Sequence, residues 1–283
     1  KAKLITIDNW GNIKWSSMNN AFNGCLVMQG NYPDVPNLSS VTVLNGMFAG
    51  CASFNYSVNN FDVRSVISMN AAFNGCTLFN QSLNSWNTAS LAGIYYAFAN
   101  CTALNQSFSN WDALDINDTR YAFFNCSSLK QSFATWVITS MGQMNFMFSS
   151  CNLNETGTTT NYDDTLVAWA ALDVPNSLSF NGGNSKYGEG LVDSGTTDGV
   201  AANKLIQSGQ NFLTTVTVGD VVYNTTDGTY ALVTAIDSNT QLSISADIMA
   251  SGEVYRIQHS DAAKARAKLI LTDLWTITDG GYL

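Results

Sequence analysis

Phe73-Asn74-Gly75-Cys76-Thr77-Leu78-Phe79-Asn80-Gln81-Ser82-Leu83-Asn84-Ser85-Trp86-Asn87 is followed 25 residues later by Phe98-Ala99-Asn100-Cys101-Thr102-Ala103-Leu104-Asn105-Gln106-Ser107-Phe108-Ser109-Asn110-Trp111-Asp112. Working outward, cysteines fall at 25, 51, 76, 101, 126 and 151, with a phenylalanine three residues before each. A fixed period of this length is the mark of a stacked repeat array. Apolar residues lie seven before five of the six cysteines, at Met18, Leu44, Met69, Ile94 and Met144; Thr119 breaks the column. That i, i+4, i+7 spacing predicts the inner face of a short helix. Gln81 to Trp86 reads as a turn and a short strand, so the expected class is α/β, a solenoid of helix–strand units. Fully burying about five large apolar side chains per unit stabilises by roughly 8–15 kcal/mol, whereas ordering 25 residues costs about 25–50 kcal/mol. No unit folds alone; the stack is the domain.

An even cysteine count invites a disulfide reading. Helices in such a stack lie about 8–10 Å apart, and a disulfide needs Cα atoms within about 7 Å. Cys25, Cys51, Cys76, Cys101, Cys126 and Cys151 are therefore expected as a free, buried structural ladder, which leaves the redox compartment open. The same spacing, and the lack of a nearby His, argues against metal.

Other columns follow from the same alignment. Phe61, Trp86, Trp111 and Trp136 stand ten after Cys; a row of indoles suits sugar stacking, but a regular aromatic is more often core. Ser57, Ser82, Ser107 and Ser132, with Gln81, Gln106 and Gln131, are expected to satisfy backbone groups at the turn. The polar columns Asn59, Asn84, Ser109 and Asp62, Asn87, Asp112 are the candidate binding face, of a neutral amide and hydroxyl character that suits glycans.

The chain has 283 residues, 46% hydrophobic and only 12% charged, with net charge −9. This balance argues against a basic patch for nucleic acid or anionic membrane. No apolar run approaches the ~18 residues that span a bilayer. The opening Lys1-Ala2-Lys3 has neither Met nor a signal peptide, which reads as a processed or trimmed form. Strand edges at residues 1–15 or at the end cap leave room for pairing between copies, a homo-oligomer.

The two units quoted above resemble the 25-residue leucine-rich-type repeats of BspA-like bacterial surface proteins, and Leu274-Trp275-Thr276-Ile277-Thr278-Asp279-Gly280-Gly281 resembles that family's terminal cap. The resemblance, over about 40–195 and 260–283, implies a leucine-rich-repeat-like solenoid with a surface or adhesive role. It carries over no catalytic residue.

After Cys151 the period breaks. Asp163-Asp164 are expected to cap a helix through Leu166, Trp169 and Leu172, ending before Pro175; Ser177 to Phe180 reads as a strand. Asp261 to Thr272 reads as a helix leading into a strand at Trp275 to Thr278. Between them, Val216–Val218, Val221–Tyr223, Thr229–Ile236, Gln241–Ser245 and Val254–Ile257 read as strands of a compact all-β module. The expected division is thus 1–196 repeats with an N-terminal cap, 197–259 an inserted β module, and 260–283 a helix–strand cap. The run Val218-Gly219-Asp220-Val221-Val222-Tyr223-Asn224-Thr225-Thr226-Asp227-Gly228-Thr229 resembles small β modules of phage virion proteins.

Chemistry is sparsely equipped. The one histidine, His259, reads as a linker residue, which excludes His triads and His metal clusters. No phosphate loop occurs, and Asp227-Gly228 and Asp279-Gly280 lack the alternating carboxylates of a calcium loop. No enzyme, cofactor or metal is expected. The leading expectation is a non-enzymatic virion surface protein for host attachment or decoration, with other virion proteins or a host-surface protein or glycan as partners. The alternative is a bacterial cell-surface or secreted adhesin. A carbohydrate-active enzyme using Asp163 and Asp164 is the remote third.

Overall fold

A computed structural model describes residues 5–30 and 32–283; Lys1-Ala2-Lys3, and with them the start of the 1–15 edge, lie outside the described residues. Two short strands, β1 (Thr6–Ile7) and β2 (Gln29–Gly30), pair in parallel at the beginning. From there the chain advances in 25-residue coils. Val43, Ser68, Gly93, Asp118 and Gln143 pair in succession through single parallel bridges.

The backbone explains the coil. On the approach to Cys76, the N–H groups of Ala72 and Asn74 turn back to the carbonyls of Met69 and Ala71 at 3.0 and 3.2 Å. Those of Ala71, Phe73 and Gly75 instead donate to Tyr95, Ala97 and Ala99 of the next coil at 2.7, 2.8 and 2.8 Å. The coils around Phe48, Phe98 and Phe123 repeat this alternation. Every second donor closes a local turn, and every other one ties the coils together, so few backbone groups go unsatisfied.

The expected α/β solenoid of helix–strand units is overturned. The fold is mostly β with little helix. Residues five and one before each Cys are left-handed: Ala71 has φ 55° and Gly75 77°, Tyr96 54° and Asn100 62°, Tyr121 55° and Asn125 58°. A left-handed residue every four positions ends an α-helix before it can propagate. Successive turns put the same i, i+4, i+7 positions inward, so the apolar period did not discriminate between the two. Nor does Gln81–Trp86 form a strand: the Trp86 N–H donates to Leu83 O at 3.1 Å across a turn at Asn84-Ser85.

Side chains fill the coil interior in columns. Phe48, Phe73, Phe98, Phe123 and Phe148 stack at 5.5, 5.5, 5.4 and 5.5 Å between ring centroids. Trp86, Trp111 and Trp136 stack beside them at 6.1 and 6.3 Å and are buried, which settles the indole column as core.

The stack ends on α1 (Thr160–Ala170) and β3 (Ser179–Asn181), whose Phe180 bridges Met144. The N-cap of α1 is Thr159, not Asp163-Asp164; Asp163 lies in the first turn and accepts from the Thr159 hydroxyl at 2.6 Å.

A second compact unit takes in Tyr187–Leu274 and Tyr282–Leu283. It contains β4 (Leu191–Thr196), β5 (Lys204–Ile206), α2 (Phe212–Thr215), β6 (Val221–Asn224), β7 (Thr229–Ser238), β8 (Gln241–Ile244), β9 (Val254–Gln258) and α3 (Asp261–Leu271). Its six strands form one curled antiparallel sheet in the order β4-β9-β6-β7-β8-β5. Register shifts between β7 and β8, and between β4 and β9, are the bulges that let a sheet curl. Phe212, Val222, Leu242, Tyr255 and Ile257 anchor its core.

The division between units falls elsewhere than at 196 and 260. Strand β4 and helix α3, assigned from sequence to the repeats and their cap, belong to the β unit; α3 packs on β6 and β7. The first unit runs to Lys186 and takes back Trp275–Gly281. There β10 (Thr276–Thr278) pairs in parallel with β3, Ile277 opposite Phe180.

Candidate functional site

The cysteine ladder is structural in geometry. All six cysteines are buried and none is in a disulfide. Five donate to the phenylalanine carbonyl 28 or 29 residues earlier, Cys76 to Phe48 O and Cys101 to Phe73 O at 3.0 Å, Cys151 to Phe123 O at 2.9 Å. The expected 8–10 Å separation is not what keeps them apart, since coils stack at ring-contact distance; those five sulfurs are aimed at a carbonyl instead. The indoles act likewise: Trp86 and Trp136 Nε1–H donate to Val58 O and Phe108 O at 2.9 and 3.0 Å. Burial raises the thiols of Cys76, Cys101 and Cys126 well above the usual range, and pushes Cys51 to about 11 and Cys151 to about 12. Such thiols are inert.

The candidate face divides. Asn59, Asp62 and Asn87 meet at a groove of about 300 Å³ with Arg64 and Ser85, whereas Asn84, Ser109 and Asp112 do not line it. Asn59 is half-buried, and the other five are exposed. Much of their polarity is used locally. Asp62, Asn87 and Asp112 each accept the N–H two residues on, at 3.3, 3.2 and 3.0 Å, as turn-forming side chains do. Asn59 clasps Ser85 of the next coil, donating at 2.9 Å and accepting at 3.1 Å.

A second groove, on the left-handed stretch before each Cys, was not foreseen. It measures about 620 Å³ and is lined by the amides of Asn20, Asn23, Asn45, Asn70 and Asn74 over a floor that includes Gly46 and Ala71. Asn45 Oδ1 accepts the Asn70 N–H at 2.8 Å, and Asn70 Oδ1 accepts the Tyr95 N–H at 2.9 Å. With each oxygen committed, the Nδ2 groups of Asn45 and Asn70 are fixed in place without a partner among the described residues. One rung further on, the same two columns turn aromatic. Tyr96, Tyr121 and Phe146 stack at 4.5 and 4.8 Å, with Tyr95 edge-on to Tyr96 at 4.5 Å. Arg120 lies 4.9 Å over Tyr95 and is held by Asp118 at 2.7 Å. The sequence carries the groove as the column Gly46, Ala71, Tyr96, Tyr121, Phe146, whose mixed residue types disguise a shared position.

A further amide ladder supports the coils. Asn55, Asn80 and Asn105 accept both the next coil's N–H and a Gln81, Gln106 or Gln131 amide, at 2.9–3.0 Å. The glutamine column thus ends on side chains rather than at the turn alone.

In the β unit, His259 is more than a linker. Its Nδ1 lies 2.6 Å from Asp220, a fully buried carboxylate that also accepts from the Thr217 hydroxyl at 2.9 Å and faces Lys264 at 3.4 Å. Asp227 of the Asn224–Gly228 turn is raised above the usual carboxylate range, first by desolvation and then by Glu253. Among the described residues no group of three His, Cys, Asp or Glu is placed to hold a metal ion, and no helix is long and apolar enough to cross a membrane.

No curated protein and no solved structure matches the chain. A family model described as a Mycoplasma protein of unknown function, DUF285, matches residues 16–136 and 58–162, which together take in more than half of the 283 residues and every complete coil. Matched across the repeats that build the Cys, Phe and Trp columns, the chain belongs to the DUF285 family.

Proposed function

We propose that the protein is a non-enzymatic attachment protein that presents its coils on the outside of a cell or particle. The observation that carries this reading is the coil stack: polar side chains recur at fixed intervals along it, a surface suited to an extended partner. The finer resemblance, to the 25-residue repeats of BspA-like bacterial surface proteins, favours a bacterial cell surface or a secreted adhesin, with a host protein or glycan as partner. A virion surface is the second reading. It is favoured by the β unit, which lies beyond the family match and whose Val218–Thr229 run resembles small phage virion modules. With a net charge of −9 neither reading engages nucleic acid.

Density-gradient fractionation of the source culture, with mass spectrometry of each fraction, tests this. Recovery with envelopes or in the medium is expected. A stoichiometric particle peak would move the protein to the virion, and recovery in the cytosol alone would sink both readings.

A further inference from the structure

We infer that the amide groove over Gly46 and Ala71 is a binding site for a neutral oligosaccharide. The inference names a ligand class for the attachment role and rests on that reading for its biological setting, but the geometry stands without it.

Three observations converge. First, the groove has a size ordinary for small-molecule sites, about 620 Å³. Second, two of its amides, Asn45 and Asn70, are oriented donors. The Oδ1 atoms of Asn45 and Asn70 are committed to backbone N–H groups of the following coil, so the amides cannot flip without losing those bonds. Their Nδ2 groups are thereby held one coil apart and unpartnered among the described residues. Two neutral donors at coil spacing match the hydroxyl and ring oxygens of neighbouring sugar units. Third, the groove runs along its columns into aromatic side chains, Tyr95 after Asn45 and Asn70, and Tyr96 after Gly46 and Ala71. Sugars present C–H faces that pack on aromatic rings while their hydroxyls bond to amides.

The aromatic rungs are also strained. Tyr96, Tyr121 and Phe146 hold φ near 54–58°, where the first rungs use Asn20, Gly46 and Ala71. A left-handed conformation is disfavoured at a bulky side chain, and such strain gathers where a side chain is needed for function. The charge of the chain, −9, disfavours an anionic sugar. Arg120, the cation beside the aromatic rungs among the described residues, is already held by Asp118.

The test uses the full chain and ligand-observed NMR with chitobiose, cellobiose and maltose at millimolar concentration, and 3′-sialyllactose as the anionic comparison. Two variants discriminate. Asn45→Asp with Asn70→Asp keeps the acceptor oxygens that hold the coils but removes the donors. Ala71→Tyr fills the groove at a position where Tyr96 and Tyr121 show that tyrosine is accommodated. Expected is saturable binding of at least one neutral disaccharide, weakened tenfold or more in both variants, with the Tm of Ala71→Tyr retained. No binding by the parent protein, equal binding by the variants, or preference for sialyllactose would overturn the inference. So would self-association abolished by Ala71→Tyr, which would give the face to a second copy. None of these results depends on where fractionation places the protein, so the two readings fail separately.

Discussion

Ala71 and Gly46 occupy equivalent positions, with φ of 55° and 60°. The methyl group of Ala71 is strained there, by about 1–2 kcal/mol, while glycine loses part of that advantage through the entropy of its unfolded chain. Ala71→Gly is therefore expected to stabilise the coils by roughly 0.5 kcal/mol, read as a higher denaturant midpoint at constant slope. Gly75, at φ 77°, predicts the reverse: Gly75→Ala should destabilise by a similar amount, roughly 0.5 kcal/mol, read as a lower midpoint. The thiols make a third residue-scale prediction. Burial raises Cys51, Cys76, Cys101, Cys126 and Cys151, whereas unfolded thiols ionise near 8.5. Protonation of both states leaves stability unaffected below about pH 8.5, and above it only the unfolded chain ionises. Stability is thus lost as pH climbs toward the folded values, and Tm should fall steadily between about pH 8.5 and about pH 10.5. These thiols should also resist alkylation until the chain unfolds; rapid labelling of Cys101 in native protein would contradict its burial.

Helix α1 shows how an element of another kind completes the stack. Trp169 Nε1–H donates to Phe133 O at 3.2 Å, continuing the indole column from a helix. Thr165 accepts the Phe133 N–H at 3.0 Å and donates to Asn161 O at 2.7 Å. Thr165→Val keeps the shape but leaves the Phe133 N–H buried and unpaired, which should cost about 1–3 kcal/mol by chemical denaturation. In α3 the Ser260 hydroxyl accepts the Ala263 N–H at 3.0 Å, so Ser260→Ala should destabilise the β unit by about 1 kcal/mol. Hydrogen exchange on β6 and β7 should register that loss, and coil amides should not.

Elements also mark what was legible. Helices at Thr160–Ala170 and Asp261–Leu271 and strands β6 to β9 stand out in the sequence because their patterns extend over several residues with turn chemistry between them. Strands β3 and β10 were legible too, at Ser177 to Phe180 and Trp275 to Thr278. The coil conformation was not. Its apolar period is shared by a helix and by linked turns, and the arbiter is left-handed backbone, which Gly50 and Gly75 advertise but Tyr96 and Tyr121 conceal. Strands β4 and β5 were missed because Asp193-Ser194-Gly195-Thr196 and the three-residue Lys204–Ile206 carry little strand signal. The amide groove was hidden for the same reason as the coil: its floor is the left-handed column.

Across the whole coil stack, stability is a sum over neighbouring coils, each contacting only the next. Excising residues 77–101 joins Cys76 to Thr102 and keeps every column in step. That shortened chain should still fold cooperatively, with a lower Tm. Removing 77–100 instead leaves one coil of 26 residues, a length the chain already carries between Cys25 and Cys51, and should lower the Tm further while keeping the transition. The same register has an optical consequence. The indoles of Trp86, Trp111 and Trp136 lie nearly parallel, 12° and 4° apart at 6.1 and 6.3 Å. Transition dipoles that close and that nearly parallel share their excitation, so the three chromophores absorb as a coupled set, with a band shifted and weakened relative to three separate indoles. The chain thus carries its own spectroscopic ruler: the amplitude of that band reports whether successive coils are seated face to face.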